Sequence, residues 1–212
     1  MLTTTFNLTL RRAVLAALLA GSSSLALAGP LGYHVEIDTS AFSGAGFLDF
    51  AFIAGNSPAP GASAVLSNFS GAFGALESME GNVSGSLPGT LTFGNSGAYN
   101  DWFHNVTLGG KFGFNIVFGG DFLNTAGNAG TTFGVGLLDY TGMAYLGNAS
   151  GNLVQFELTP LNGGLPASIA GSTYASIASV SAVPEASEWM MLTGGLALIG
   201  FALRRRQAVV RA

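Results

Sequence analysis

Residues 105–118 read Asn-Val-Thr-Leu-Gly-Gly-Lys-Phe-Gly-Phe-Asn-Ile-Val-Phe, and this segment carries the clearest structural signal in the chain. In its second half, large apolar side chains recur at every second position: Phe112, Phe114, Ile116 and Phe118. A period of two places all of them on one face of a β-strand. The dipeptide Gly109-Gly110 lies between two apolar stretches and is typical of the two-residue link that closes a β-hairpin. We therefore expect a hairpin here to form the centre of the hydrophobic core.

Outward from this hairpin, short apolar or alternating segments follow one another at spacings of about ten residues, as they do in sandwiches and barrels. These segments lie at residues 33–38, 47–53, 62–69, 82–87, 90–93, 131–138 and 153–158. Turn residues separate them, and glycine alone accounts for 32 of the 212 residues. Residues 69–79 are the best candidate for a helix. The candidate is poor, because their apolar positions have no clear helical period. The pattern predicts an all-β fold, an antiparallel β-sandwich or jelly-roll.

Residues 1–28 have the pattern of a signal peptide. Arg11-Arg12 form a basic start, residues 13–20 are apolar, and Ala26-Leu27-Ala28 supplies small residues for cleavage. The mature chain is then expected to begin at Gly29. Retention of the apolar segment as a membrane anchor is the weaker alternative, because that segment is short and a Gly-Ser-rich stretch follows it.

The last thirty residues, 183–212, have the pattern of a sorting tag. They contain Val183, Pro184, Glu185 and Ala186, then an uncharged apolar run at 189–203, then Arg204, Arg205 and Arg206. A helix of the length of that run covers only about 22 Å, against about 30 Å of hydrocarbon, so the predicted transmembrane helix is a marginal span. The arginines are expected to stay in the cytoplasm and stop the helix there, which places the preceding body outside it. Pro184 biases Val183 towards an extended backbone, the form in which a protease receives its substrate.

This C-terminal segment resembles the PEP-CTERM sorting signal of bacterial proteins, in which a Pro-Glu-Pro box precedes a transmembrane helix and an arginine cluster. Pro184-Glu185 match the box, and Ala186 stands in place of its second proline. The resemblance implies processing by an exosortase, transient anchoring in the inner membrane, and association with extracellular polysaccharide. An ordinary tail anchor is the alternative. Residues 37–40 and 46–50 also resemble strands in the extracellular domains of one group of PEP-CTERM proteins, which supports the architecture and implies no activity.

The body between the two signals is acidic. From Gly29 to Val183, Lys111 is the one base against nine acids, a net charge of −8. Such a surface repels phosphate backbones, so we predict no nucleic-acid partner and membrane attachment through the C-terminal helix alone. The sequence contains no cysteine, which excludes disulfides and cysteine-ligated metals. Residues 161–182 are uncharged and rich in Gly, Ala and Ser, so they predict a flexible spacer after a sandwich at 29–160.

The sequence carries no recognisable catalytic or metal-binding pattern. Its two histidines, His34 and His104, stand in neither a His-x-His nor a His-Glu-x-x-His pattern. Glycoside hydrolysis needs two carboxyl groups a few ångströms apart, which a sequence cannot show for Asp38, Asp49 or Asp139. We predict no enzyme activity, no cofactor and no metal.

One cluster of side chains suggests a binding site. Tyr99, Asp101, Trp102 and His104 form the densest mixture of aromatic and polar residues in the chain. An acid and an aromatic at a strand end are a common basis for carbohydrate sites, although a core aromatic with surface neighbours is the simpler interpretation. The predicted function is an exported, non-enzymatic protein of the cell surface or extracellular matrix, sorted by an exosortase. The alternative is a carbohydrate-binding module that uses the cluster.

Overall fold

The computed structural model describes residues 31–56, 59–183 and 193–197. Twelve β-strands lie within these ranges. They are β1 (Gly32–Asp38), β2 (Gly44–Ala54), β3 (Ser63–Ser70), β4 (Phe73–Glu80), β5 (Val83–Gly85), β6 (Leu91–Gly94), β7 (Tyr99–Leu108), β8 (Lys111–Gly119), β9 (Thr131–Asp139), β10 (Val154–Thr159), β11 (Ser168–Thr173) and β12 (Ala178–Ala182). A single 3₁₀ turn, Asp121–Leu123, follows β8 in the described chain.

The strands form two six-stranded sheets in which all paired neighbours are antiparallel. Sheet A has the order β12-β1-β8-β3-β6-β5, and sheet B has the order β11-β10-β9-β2-β7-β4. Consecutive strands often lie in different sheets, as β1 and β2 do. The prediction of an all-β fold is confirmed, and two antiparallel sheets are what a β-sandwich requires.

Aromatic rings from both sheets form the core between them. Phe133 of β9 lies near its centre, with ring centroids 6.0 Å from Phe118 of β8 and 5.7 Å from Phe93 of β6. Phe50 of β2 meets Phe114 of β8 edge to face at 5.3 Å. The period of two predicted for the second half of residues 105–118 is confirmed, because all four of its large apolar side chains are buried. Edge-to-face pairs of this kind add about 0.5–1.5 kcal/mol each beyond the area they bury.

The predicted hairpin at Gly109-Gly110 is wrong. Strand β7 belongs to sheet B and β8 to sheet A, so the two glycines carry the chain from one sheet to the other. The buried Thr39 holds this corner, because its hydroxyl donates to the Gly110 carbonyl oxygen at 2.7 Å and accepts the Gly109 N–H at 3.1 Å. Gly109 has a φ of +107°, a conformation that L side chains rarely adopt. A hairpin and a corner between sheets both favour glycine, so the local pattern does not distinguish them.

The segment weighed as a helix, residues 69–79, is mostly strand. Strand β4 pairs with β7 at the edge of sheet B, and its register shifts twice between Phe73 and Ser78. Nearly all its side chains are exposed, so its sequence shows no alternation. Its acids Glu77 and Glu80 disfavour edge-to-edge pairing with another chain.

The predicted spacer at residues 161–182 is also wrong, and the folded body extends beyond residue 160. Strand β11 pairs with β10 at one edge of sheet B, and β12 pairs with β1 at one edge of sheet A. Both are edge strands with largely exposed side chains, held mainly by backbone hydrogen bonds. A strand of this kind needs no apolar alternation, and small uncharged residues are compatible with it.

The predicted terminal signals fall almost entirely outside the described residues. This holds for the signal peptide at 1–28 and for most of the predicted transmembrane helix at 189–203. Within that helix, residues 193–197 are helical and exposed. Among the described residues, none of the helices has the length and apolar character needed to cross a bilayer.

Candidate functional site

The predicted carbohydrate cluster lies on β7, and the strand divides it between two faces. Side chains alternate along a strand, so residues 100, 102 and 104 face one side and residues 99, 101 and 103 the other. Trp102 and His104 point into the core and are 1% and 4% exposed. Tyr99 lies on the outer face of sheet B and is 46% exposed. The four residues therefore do not form one surface.

Trp102 and His104 belong to the core. Their rings stack at a centroid distance of 4.2 Å and an interplanar angle of 9°. Trp102 also meets Phe50 edge to face at 5.6 Å, and its Nε1 has no hydrogen-bond partner. Burial lowers the pKa of His104, an effect that the backbone of Gly74 opposes only in part. A neutral imidazole against an indole is a packing arrangement and leaves no face of Trp102 for a ligand.

On the outer face, the sheet brings together two carboxyl groups that are far apart in sequence. Asp49 of β2 lies opposite Phe103, and Asp101 of β7 lies opposite Ala51, so the two acids are diagonal neighbours across the strand pair. Diagonal side chains are within reach of each other. The Asp101 side chain is hydrogen-bonded to that of Asp49, and the Oδ1 atom of each is enclosed in the fold. Two carboxyl groups in such contact have to share a proton.

The ionisation of Asp49 is strongly perturbed. Burial, together with the hydrogen bond to Asp101 and its charge, raises the pKa of Asp49 to about 8. Burial and the charges of Asp101 and Asp49 also raise the pKa of Tyr99, which hydrogen-bonds to Asp101. At neutral pH, Asp49 is therefore mostly protonated and the Tyr99 phenol fully so.

A cleft of about 280 Å³ opens beside Asp49 on the outer face of sheet B. Its floor is Ala51 and Gly134, and its walls include the rings of Tyr99 and Tyr145. Polar groups around the cleft come from Asp49, Thr132, Ser150 and Asn152. The cleft combines aromatic walls, a carboxyl group and amide and hydroxyl groups, which is the composition of many small-ligand sites.

Glycines make room for the loop that forms one side of the cleft. A Cβ on Gly134 would lie 2.4 Å from Nδ2 of Asn152, and one on Gly136 would lie 3.2 Å from the Tyr145 ring. Asn148 fixes the loop by donating to the Asn152 carbonyl oxygen at 2.6 Å. Side chains at 134 and 136 would displace Asn152 and Tyr145, so the two glycines determine the shape of the cleft.

Asp49→Asn is expected to stabilise the protein at pH 8 and to leave it unchanged at pH 4. Between the ordinary pKa of 3.8 and the folded value of about 8, folding takes up a proton at Asp49. The stability that the shared proton supplies is fully present below pH 3.8 and is lost as the pH rises through about 8. Asparagine stays neutral, so we expect a gain of about 1–3 kcal/mol at pH 8 in urea unfolding.

The matched control is Glu36→Gln, which removes the same charge from an exposed ion pair with Lys111 on sheet A. Solvent screens such an exposed pair, so this variant is expected to show no comparable gain at pH 8. A gain for Asp49→Asn that is equal at pH 4 and pH 8, or a loss at pH 8, would contradict the shared proton.

The sequence hypothesis included Tyr99 and Asp101 and missed the partner of Asp101. The sequence presents Asp49 only as a possible member of an acid pair, because the register of β2 against β7 is not visible in a sequence. The other two candidate acids, Asp38 and Asp139, are the last residues of β1 and β9, where the hydroxyls of Ser40 and Thr141 donate to them. Those bonds lower the pKa of both carboxyl groups.

The described side chains do not form a cluster of metal ligands. In the part of the chain that it describes, no group of three or more His, Asp or Glu side chains is placed to hold an ion. The remaining histidine, His34, has its Nδ1 atom 2.7 Å from Oδ1 of Asn115 on the neighbouring strand.

Of the predicted sorting residues, only Val183 lies within the described chain. Its N–H donates to the carbonyl oxygen of Gly32 at 2.9 Å and extends the pairing of β12 with β1 by one residue. Pro184, Glu185 and Ala186 lie outside the described residues, as do Arg204, Arg205 and Arg206.

Comparison with known proteins assigns no family and no function to this chain. No protein-family model, curated protein or solved structure gives a significant match to this chain.

Proposed function

We propose that the protein is an exported, non-enzymatic component of the cell surface or extracellular matrix, delivered by an exosortase. It crosses the inner membrane, is held there briefly by its C-terminal helix, and is then cleaved and released to associate with extracellular polysaccharide. The observation that carries the proposal is the fit between the folded body and the two predicted signals. The sandwich begins at Gly32 and its last strand ends at Ala182, while the signals cover 1–28 and 183–212.

The position of the folded body between the two predicted signals favours a C-terminal segment that is cleaved off over one that forms part of the fold. Val183 still bonds to Gly32, and Pro184 follows at once. Proline has no N–H to donate and cannot continue the pairing with β1 as a donor, so strand β12 has a natural end there. A protease needs an extended segment free of the sheet, and the Pro-Glu box comes directly after the last paired residue. Cleavage after this point would leave every strand of the sandwich in place.

The composition of the body is compatible with an extracellular role. It has no cysteine, so its stability is independent of the redox state outside the cell. Its net charge of −8 between Gly29 and Val183 favours solubility and disfavours adsorption to anionic lipid. The aromatic core and twelve paired strands supply the stability that disulfides give to many exported domains.

Replacing Pro184-Glu185 by Ala-Ala is expected to abolish processing. The variant should remain in the inner-membrane fraction at unprocessed mass, because the exosortase recognises the box. Ser187→Ala, which lies between the box and the apolar run, is the matched control and should be processed like the parent protein. Fractionation followed by intact mass measurement checks this. The same fraction and mass for the Ala-Ala variant and the parent would exclude sorting through the box.

A further inference from the structure

The register of sheet B gives the cleft on its outer face a low floor beside a row of larger side chains. Ala51 of β2 and Gly134 of β9 lie opposite each other and form the floor. In the next row on this face, Tyr99 and Thr132 flank Ile53. These five residues all line the cleft of about 280 Å³. A flat group can therefore lie on the floor with an aromatic ring and a hydroxyl beside it.

The loop that follows β9 supplies a second wall. Tyr145 covers Gly136, because a Cβ at residue 136 would lie 3.2 Å from its ring. Asp49 lies opposite Gly136, four residues before Ile53 on the same strand, and four residues of a strand span about 13 Å. The exposed tyrosine of β7 and that of the loop, 46% and 42% accessible, therefore bound the cleft from different sides. The span between them is enough for one sugar-sized ring.

The polar side chains that line the cleft are uncharged near neutral pH. Asn152 donates one N–H to Gln155 at 3.3 Å, so its amide oxygen and second N–H remain for a ligand. The Thr132 hydroxyl donates to Glu157 at 2.9 Å, and its oxygen can still accept a hydrogen bond. Burial and a neighbouring carboxyl group raise the pKa of Asp49 to about 8, so this side chain holds a proton at pH 6. Such a lining matches neutral hydroxyls.

The surroundings of the cleft disfavour an anionic ligand. Glu157 of β10 lies on one side of the cleft, and Glu80 of β4 lies on the other, close enough for its charge to act on Tyr99. Lys111 is the one base between residues 29 and 183, and it belongs to sheet A. A carboxylate or sulfate in the cleft would therefore meet negative charge with no base of the body to balance it.

The position of the cleft disfavours a bound peptide strand. Strands β9, β2 and β7 are the third, fourth and fifth of the six strands in sheet B, and each pairs with a neighbour on both sides. Their backbone groups are occupied by that pairing, so a peptide cannot extend the sheet here. Recognition has to come from side chains alone. Rings can pack on the faces of a ligand, and the amide and hydroxyl groups can bond to its rim.

We propose that this cleft binds one or two units of a neutral polysaccharide, with the C–H face of a sugar ring against a tyrosine and its hydroxyls bonded to Asn152 and Thr132. A sugar ring offers apolar C–H faces and a rim of hydroxyls, each of which both donates and accepts. The rest of such a chain would extend into solvent on either side. The inference rests on the proposed association with polysaccharide and narrows that polysaccharide to an uncharged one.

Titration with neutral and acidic oligosaccharides tests the proposal. The full-length protein in mild detergent is titrated calorimetrically at pH 6 with tetramers of glucose, mannose and galactose, and with a tetramer of galacturonic acid. We expect at least one neutral tetramer to bind, and the acidic tetramer to bind at least about tenfold more weakly, because its carboxylates meet the acidic border of the cleft. Adding 0.5 M NaCl should change the affinity for the neutral tetramer by less than about twofold, since no ion pair contributes to it.

Variants of the lining residues locate the binding. Asn152→Ala, and at least one of Tyr99→Ala and Tyr145→Ala, should reduce the affinity for the neutral tetramer about fivefold or more, the loss expected when a group that carries a contact is truncated. Replacing the same tyrosine by phenylalanine keeps the ring and should retain affinity within about twofold of the parent. Tyr140→Ala is the matched control, because this exposed tyrosine does not line the cleft, and it should bind like the parent.

Circular dichroism and urea unfolding establish that the variants remain folded. Three results would each overturn the proposal: no binding of any neutral tetramer at millimolar concentration, binding of the acidic tetramer as tight as that of the neutral ones, or unchanged affinity in Asn152→Ala or in both alanine variants of the lining tyrosines. Sorting is measured separately by fractionation, so failure of the ligand leaves the proposed export route untouched.

Discussion

Trp102→Ala is expected to reduce the free energy of unfolding by about 3–5 kcal/mol, the range for truncating a large buried aromatic. Trp102 is the largest fully buried side chain in the described chain. It packs against Phe50 of the neighbouring strand β2 and stacks on His104, so its removal leaves a cavity bounded by these two rings. Loss of carbohydrate binding on this substitution would therefore report unfolding and would not identify a ligand contact.

Urea unfolding, followed by far-ultraviolet circular dichroism, measures the loss of stability. Trp102→Phe is the matched control, because it keeps one aromatic ring against Phe50 and loses only the second ring with its unpartnered N–H. We expect it to cost less than half as much as alanine. Tyr140→Ala, at a site that is 74% exposed, should change stability by about 0.5 kcal/mol or less. A Trp102→Ala protein as stable as the parent would place the indole outside the core.

Ending the chain at residue 160 is expected to prevent stable folding, although composition suggests that boundary. The missing segment contains β11, which pairs with β10 over six residues, and β12, which pairs with β1 over five. Its loss would uncover one edge of each sheet. It would also expose Phe156, whose ring lies close to Gly171, and Tyr33, whose hydroxyl donates to the Ile169 carbonyl oxygen. At about 1 kcal/mol for each lost hydrogen bond, plus lost apolar contact, the deficit exceeds about 5 kcal/mol and approaches the whole stability of an ordinary domain.

Chains of residues 29–160 and 29–183 provide the comparison, because they differ only in this segment. The longer chain should give a dispersed amide spectrum and a cooperative urea transition. The shorter chain should give a collapsed spectrum, no cooperative transition, and a tendency to aggregate through its uncovered edges. Identical urea midpoints for the two chains would restore the interpretation of residues 161–182 as a spacer.

Most strands could be predicted from the sequence because their burial alternates. Strands β1, β2, β9 and β10 each bury every second side chain for at least part of their length, so apolar periodicity locates them well. The edge strands β4, β11 and β12 bury almost nothing. Backbone hydrogen bonds hold them, and those bonds leave no pattern in side-chain polarity. For the same reason, the sequence pattern offers β4 as the best candidate for a helix and predicts a spacer where β11 and β12 lie.

The sequence does not show which strands pair with each other. Gly109-Gly110 joins two strands that a local rule assigns to one hairpin, and long-range pairing of β7 with β2 and of β8 with β1 places them in different sheets. The candidate site depends on the same information. Asp49 and Asp101 meet only because ten residue pairs of β2 and β7 are in register. Alternation alone, however, is enough to show that Asp101 and Trp102 face opposite sides of their strand.

If the proposed function is correct, an enzyme removes the C-terminal segment and the sandwich is the part of the protein that is exported. The most direct test is the intact mass and C-terminal residue of the protein recovered from outside the cell. We expect a chain that begins at Gly29, retains Ala182 at the end of β12, and lacks the apolar run and Arg204 to Arg206. Extracellular protein that still ends in those arginines, or a body found only in the cytosol, would contradict the account.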